Sequence, residues 1–163
     1  MCTRVVLGFI AYVTIAVLGT LNHFWYDLSN ENDFVALFAA TDESVFQHMK
    51  MPVYPWLLFL FLFDRNSALS GVFGLLVCIA LIPTMYYSAL SAGHHSFEYD
   101  IFTFMFSILC GIVLWFLFTV EKTSKLMVLS LGLPLGITLG LVVWFAVCTY
   151  YDCEGSLYNY TEA

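Results

Sequence analysis

Apolar residues arrive in blocks along this chain. Residues 5–22 (VVLGFIAYVTIAVLGTLN), 71–90, 100–120 and 126–149 are near-continuous apolar runs. Each is close to the roughly 20 residues a helix needs to cross a bilayer. The first run is longer than the apolar core of a usual signal peptide, and no clear A-x-A cleavage site follows. It therefore reads as a retained transmembrane helix, with Trp25 and Tyr26 suited to the interfacial aromatic belt. A further block, residues 52–63 (PVYPWLLFLFLF), is apolar and aromatic but too short to span. A span over 42–63 must recruit the polar stretch before it, which carries Glu43, Gln47, His48 and Lys50. At about 1.5 Å of rise per residue, His48 then lies roughly 22 Å from the Phe63 end of a hydrocarbon layer about 30 Å thick. Thr41 or Asp42 is the expected N-cap of this helix, and Pro52 and Pro55 are expected to kink it. Residues 34–40 are apolar but far too short to cross, which predicts an interfacial or re-entrant segment.

This pattern predicts an all-α integral membrane protein, a single polytopic domain over 1–163. It has five transmembrane helices (5–22, 42–63, 71–90, 100–120 and 126–149) and one interfacial or re-entrant segment. Composition agrees: 61% of residues are hydrophobic and 10% charged, with a mean hydropathy of +0.87. An ordinary soluble domain carries about a quarter charged residues. The net charge of −7 argues against nucleic acid as a partner; the lipid bilayer is the expected one. Five spans place Arg4, Arg65, Lys122 and Lys125 on one side and Lys50 alone on the other. The positive-inside rule then makes the N-terminus cytoplasmic and the C-terminus outside. Cys78 and Cys110 fall mid-span and read as packing residues, while Cys148 and Cys153 are a possible pair on an oxidising side. Asn159 opens an N-x-T sequon in the predicted outer tail.

Candidate chemistry gathers on the predicted outer side. His23 and Asp27 close the first span, Glu43, Gln47 and His48 lie in the outer half of the second, and His94, His95, Glu98 and Asp100 lead into the fourth. His23 and Asp27 are spaced i, i+4, as are His94 and Glu98, so each pair shares a face if the helices extend that far. Imidazoles and carboxylates are ligands for zinc and other transition metals, proton relays near neutral pH, and general acids and bases. On this reading His23, His48, His94 and His95 are the metal candidates. Asp27, Glu43, Gln47, Lys50 and Asp100 are the ligand-binding candidates, and a divalent transition metal such as zinc is the candidate cofactor. Plainer roles stand beside these. His23 and Asp27 would cap a helix at the interface, His94, His95 and Glu98 would be loop residues, and Asp100 would sit on a helix dipole. Lys50 would snorkel or neutralise a carboxylate. No G-x-G-x-x-G, P-loop, H-E-x-x-H or G-x-S-x-G occurs, so the sequence names no reaction and leaves open whether the protein is an enzyme.

Gly132, Gly136 and Gly140 put a glycine at every fourth residue of the last span. Such a face lets helices approach closely. It serves either a homo-oligomer or, the favoured reading, packing within the bundle.

Three stretches, HFWYDLSNEN, TDESVFQHMKMPVYPWLLF and YDIFTF, resemble a family of small multi-pass prokaryotic membrane proteins known only as a domain of unknown function. That family carries an H-F-x-Y-D element, an N-E-S-x-W-E-H-x-K element running into a Pro-containing span, and a later D-I-x-x-F. The resemblance places His23, Tyr26, Asp27, Glu43, Ser44, His48, Lys50, Asp100, Ile101 and Phe104 at motif positions. Asp42, Phe46 and Gln47 depart from it, standing where the family has Asn, Trp and Glu. The last change removes a carboxylate from the expected site. The expected function is a small polytopic membrane protein with an outward-facing His/carboxylate pocket for a metal cation or small polar ligand. The alternative is a non-catalytic accessory or assembly subunit of a larger membrane complex.

Overall fold

The polar breaks between apolar runs become helix ends with identifiable caps. The computed structural model describes residues 2–42, 44–94, 96–118 and 129–150. Those residues form helices α1 (Cys2–Leu28), α2 (Asp33–Ala36), α3 (Val45–Lys50), α4 (Val53–Phe63), α5 (Ala68–Ser91), α6 (Phe97–Leu117) and α7 (Leu129–Tyr150). A 3-10 turn, Arg65–Ser67, joins α4 to α5. No strand occurs among the described residues. Three helices among them are long and apolar enough to cross a membrane: Thr3–Leu28, Ala68–Ser91 and Phe97–Leu117.

α1 ends in a Schellman motif: the Asn30 N–H donates to the Asp27 carbonyl and the Glu31 N–H to the Tyr26 carbonyl. This puts both Asn30 and Glu31 in the left-handed region, each at φ 56°. α5 ends the same way. The Gly93 N–H donates to the Leu90 carbonyl and the His94 N–H to the Ala89 carbonyl, with Gly93 at φ 70°. α6 starts at Ser96, whose hydroxyl accepts from the Tyr99 N–H. The α5–α6 turn therefore breaks the helix between His94 and Glu98, and the expected i, i+4 face for that pair does not form.

The stretch 42–63, expected as one kinked helix, is two. Pro52 has no N–H for the His48 carbonyl and Pro55 none for the Met51 carbonyl. α3 accordingly stops at Lys50 and α4 starts at Val53. The cap of α3 is Ser44, not Thr41 or Asp42. The Ser44 hydroxyl accepts from the Gln47 N–H, while Asp42 Oδ1 accepts from the Ser44 N–H in a turn just before the helix.

The core is built on close helix approach. α5 carries Ser70, Gly71, Gly74 and Cys78 on its buried face, and α6 carries Thr103, Ser107 and Gly111. A Cβ on Gly111 would stand 2.5 Å from the Gly74 carbonyl oxygen and 2.7 Å from the Trp56 ring. Trp56 is itself fully buried, lies 5.7 Å from Trp115 by ring centroids, and donates its Nε1–H to the Gly71 carbonyl at 3.0 Å. α1 lies antiparallel to α6, with Gly8 against Phe116 and Gly19 against Phe104. The outer face of α1, including Phe9, Val13 and Val17, is exposed and apolar, the surface a helix presents to lipid.

The glycine face of α7 is not where the bundle closes. Among the described residues, nothing lies within 4 Å of a Cβ placed on Gly136 or Gly140. A close glycine-to-glycine approach is found instead at the Gly74–Gly111 crossing of α5 and α6. Gly132 side-chain surroundings, Cys153, the 121–125 loop and the sequon at Asn159 lie outside what the structure describes.

Candidate functional site

Next to the Gly19–Phe104 contact, a cavity of about 520 Å³ is lined by residues of α1, α3, α5 and α6. Its polar wall is Thr20 and His23 from α1, His48 from α3, Tyr86 from α5, and Asp100 and Thr103 from α6. The remainder is apolar, with Val45, Met51, Ile82, Phe104 and Met105 lining the inside. The volume falls in the range of small-molecule sites, about 300–1,000 Å³.

Local structure sets each polar group. α1 continues past residue 22 to Leu28, so His23 is helical and half-buried. His48 is in the last turn of α3, and its Nδ1 lies 2.8 Å from the Ser44 carbonyl oxygen one turn back. A carbonyl only accepts, so Nδ1 carries the proton of that bond. The His23 and His48 rings lie 5.6 Å apart by centroids, tilted by 38°. Asp100 is in the first turn of α6, where the helix dipole favours its carboxylate, and it also lines the cavity.

The other expected residues are elsewhere. Asp27 is on α1 and exposed. Gln47 is buried in α3, and its Oε1 makes no hydrogen bond among the described residues. His94 is exposed in the α5–α6 turn and does not line the cavity. Glu43 and His95 lie outside the described residues.

Lys50 is fully buried, but it faces away from the histidines. Its ammonium donates to the Ala36 carbonyl at 2.8 Å and to Thr149 Oγ1 of α7 at 3.4 Å. Tyr54 donates its hydroxyl to the Leu37 carbonyl at 2.8 Å and packs its ring on Phe38. Together these two side chains satisfy carbonyls at the end of α2, where the chain turns inward and buries Ala39 and Ala40. A short segment packed against apolar helices needs such donors, because unmet backbone groups are costly there.

Several buried polar side chains, Thr138 among them, escaped the sequence reading. Asn22 is fully buried, with neither amide atom hydrogen-bonded among the described residues. The hydroxyls of Thr103 and Ser107 on α6 are likewise buried and unbonded. Their signal was available in the chain: Thr103, Ser107 and Gly111 form a small-residue face at intervals of four. Among the described residues no three His, Cys, Asp or Glu side chains come close enough to hold a metal ion. The donor set brought together is two imidazoles with a carboxylate in the same wall.

The fold and the cavity define the class: an all-helical protein, among its described residues, with three helices long and apolar enough to cross a membrane and a largely apolar chamber between helices. The chain belongs to the family described as "Family of unknown function (DUF6512)", whose model matches residues 6–160. No curated protein and no solved structure matches it.

Proposed function

We propose that this protein binds a small ligand in the α1/α3/α5/α6 cavity, and that His23, His48 and Asp100 form the polar end of the site. The observation that supports this is convergence. Three ionisable side chains, from three helices far apart in sequence, line one chamber of ligand size. Such groups among apolar helices are expensive and tend to mark functional sites. A transition metal such as zinc would find two imidazoles here. It needs a third ligand, for which Glu43 is the candidate in the sequence.

In this reading the chain crosses the membrane five times. α3 and α4 together form the second crossing and α7 the fifth, while α2 is the interfacial or re-entrant segment. The antiparallel packing of α1 on α6 supports that alternation. The N-terminus is cytoplasmic, the C-terminus is outside, and the cavity opens toward the outer half.

The test is native mass spectrometry with elemental analysis of protein extracted in mild detergent, wild type beside His48→Ala. The expected result is a bound small molecule or near-stoichiometric metal in the wild type, lost in the variant. Equal occupancy in a variant that folds like the parent would overturn the reading.

A second reading, an accessory or assembly subunit, is favoured by a different observation. Among the described residues nothing packs on Gly136 or Gly140 of α7, which stand beside exposed Leu133, Leu139 and Val143. That face fits another helix, from a second copy through Gly132, Gly136 and Gly140 or from a larger complex. Loss of a co-purifying chain, or of a homo-oligomer, in Gly136→Leu would support it.

A further inference from the structure

We infer that the cavity takes a single-chain amphiphile with a hydrogen-bond-donating head, an alcohol or an amine, and admits it from the lipid side. This rests on the ligand-binding reading above and names its ligand class.

The entrance argues for the lipid side. The lining residues that are also exposed are Thr20 and Phe24 of α1 and Phe97 and Ile101 of α6. Three of the four are apolar: Phe24 is 51% exposed, Phe97 75% and Ile101 46%. All belong to helices long and apolar enough to cross a membrane. A solute arriving from water would first meet aromatic and aliphatic surface, whereas a hydrocarbon chain arriving from lipid would meet its like.

The interior argues for an amphiphile. Val45, Ile82, Phe104 and Met105 offer an apolar chain dispersion contacts and no hydrogen-bonding groups. The polar groups are the minority of the lining: Thr20, His23, His48, Tyr86, Asp100 and Thr103, with the His23 and His48 rings 5.6 Å apart. A fully hydrophilic ligand would leave its own polar atoms unmet against the apolar wall, at a cost.

Thr103 points to the head. The threonines at 20, 84 and 149 each donate back to the carbonyl four residues earlier. Thr103 and Thr138 are also helical and buried, yet neither hydroxyl makes such a bond or any other among the described residues, and of the two only Thr103 lines the cavity. A buried hydroxyl in the cavity wall with no protein partner is complemented by a ligand's polar atom. Asp100 in the same wall offers acceptor oxygens, which an alcohol or amine head can donate to and a carboxylate head cannot.

The experiment is photolabelling of the full chain in lipid nanodiscs with three diazirine probes: a dodecyl alcohol, the matching dodecanoate, and a propyl alcohol. Peptide mapping reads labelling along α6, in wild type, Thr103→Val and Ile82→Trp. Thr103→Val keeps shape and removes only the hydroxyl, so it remains informative where the bulkier Ile82→Trp fails to fold. The expected result is strong dodecyl alcohol labelling of α6 near Met105, several-fold weaker in Thr103→Val and with dodecanoate, and blocked in Ile82→Trp. Dodecanoate labelling equal to the alcohol, or alcohol labelling indifferent to both variants, would overturn the inference. Variant-sensitive labelling by propyl alcohol alone would overturn it and leave the ligand-binding reading standing. No variant-sensitive labelling by any probe would overturn the inference, and the occupancy of wild type against His48→Ala then decides the ligand-binding reading separately.

Discussion

Gly74 of α5 and Gly111 of α6 meet backbone to backbone: a Cβ on Gly111 would stand 2.5 Å from the Gly74 carbonyl oxygen, and one on Gly74 would run into the Gly111 carbonyl. A carbonyl held in a helix cannot rotate away as a side chain can. Gly74→Ala and Gly111→Ala should each destabilise the bundle by about 1–3 kcal/mol, the usual cost of overpacking. The double variant should cost less than the sum, because both force the same separation of α5 and α6. Gly136→Ala is the control. Its face is open among the described residues, so it should leave stability unchanged or raise it by up to about 1 kcal/mol through helix propensity. Denaturant titration in mixed micelles checks all four proteins.

Lys50 is expected to act on α2 and not on the cavity. Lys50→Met removes the donor to the Ala36 carbonyl but also removes a buried cation. These effects oppose each other, so global stability should change by less than about 2 kcal/mol. The local effect should be larger. Exchange of the Phe38 and Ala39 amides, both bonded to the Val35 carbonyl, should speed up markedly. Unchanged exchange there, with loss of ligand from the cavity, would return Lys50 to the site.

Glu31 carries local backbone strain. Its φ of 56° lies in the left-handed region, which disfavours a side chain by roughly 1–2 kcal/mol. Glu31→Gly relieves this and loses some chain entropy, so a net gain of up to about 1 kcal/mol is expected. Thermal unfolding in detergent measures it, and a loss of stability would show that the Glu31 side chain has another role.

The sequence made the helical class and the apolar runs legible, because long runs with few charges leave little choice of structure. It also named His23, His48 and Asp100, all three by motif position and His48 by depth as well, and all three line the cavity. It misjudged direction. Lys50 was grouped with the histidines, yet it lies two residues past His48 and so about 200° round the helix at 3.6 residues per turn. The i, i+4 spacing of His94 and Glu98 gives a shared face only if one helix carries both, and Gly93 ends α5 first. Packing was the least legible. Gly132, Gly136 and Gly140 form the more regular glycine pattern, yet the close approach observed is at Gly74 and Gly111. A spacing identifies a face that permits contact. Which neighbour covers that face depends on the whole bundle.

The juxtaposition of His23 and His48 carries the account of the site, and it can be measured directly. The chain has four histidines, so histidine-selective isotope labelling gives a sparse spectrum. Solid-state NMR of the protein in lipid bilayers should show an inter-ring contact consistent with the 5.6 Å centroid separation. That cross-peak should vanish in both His23→Gln and His48→Gln. An inter-ring contact that survives both variants, or none between these two rings in the folded wild type, would contradict the arrangement and the ligand site built on it.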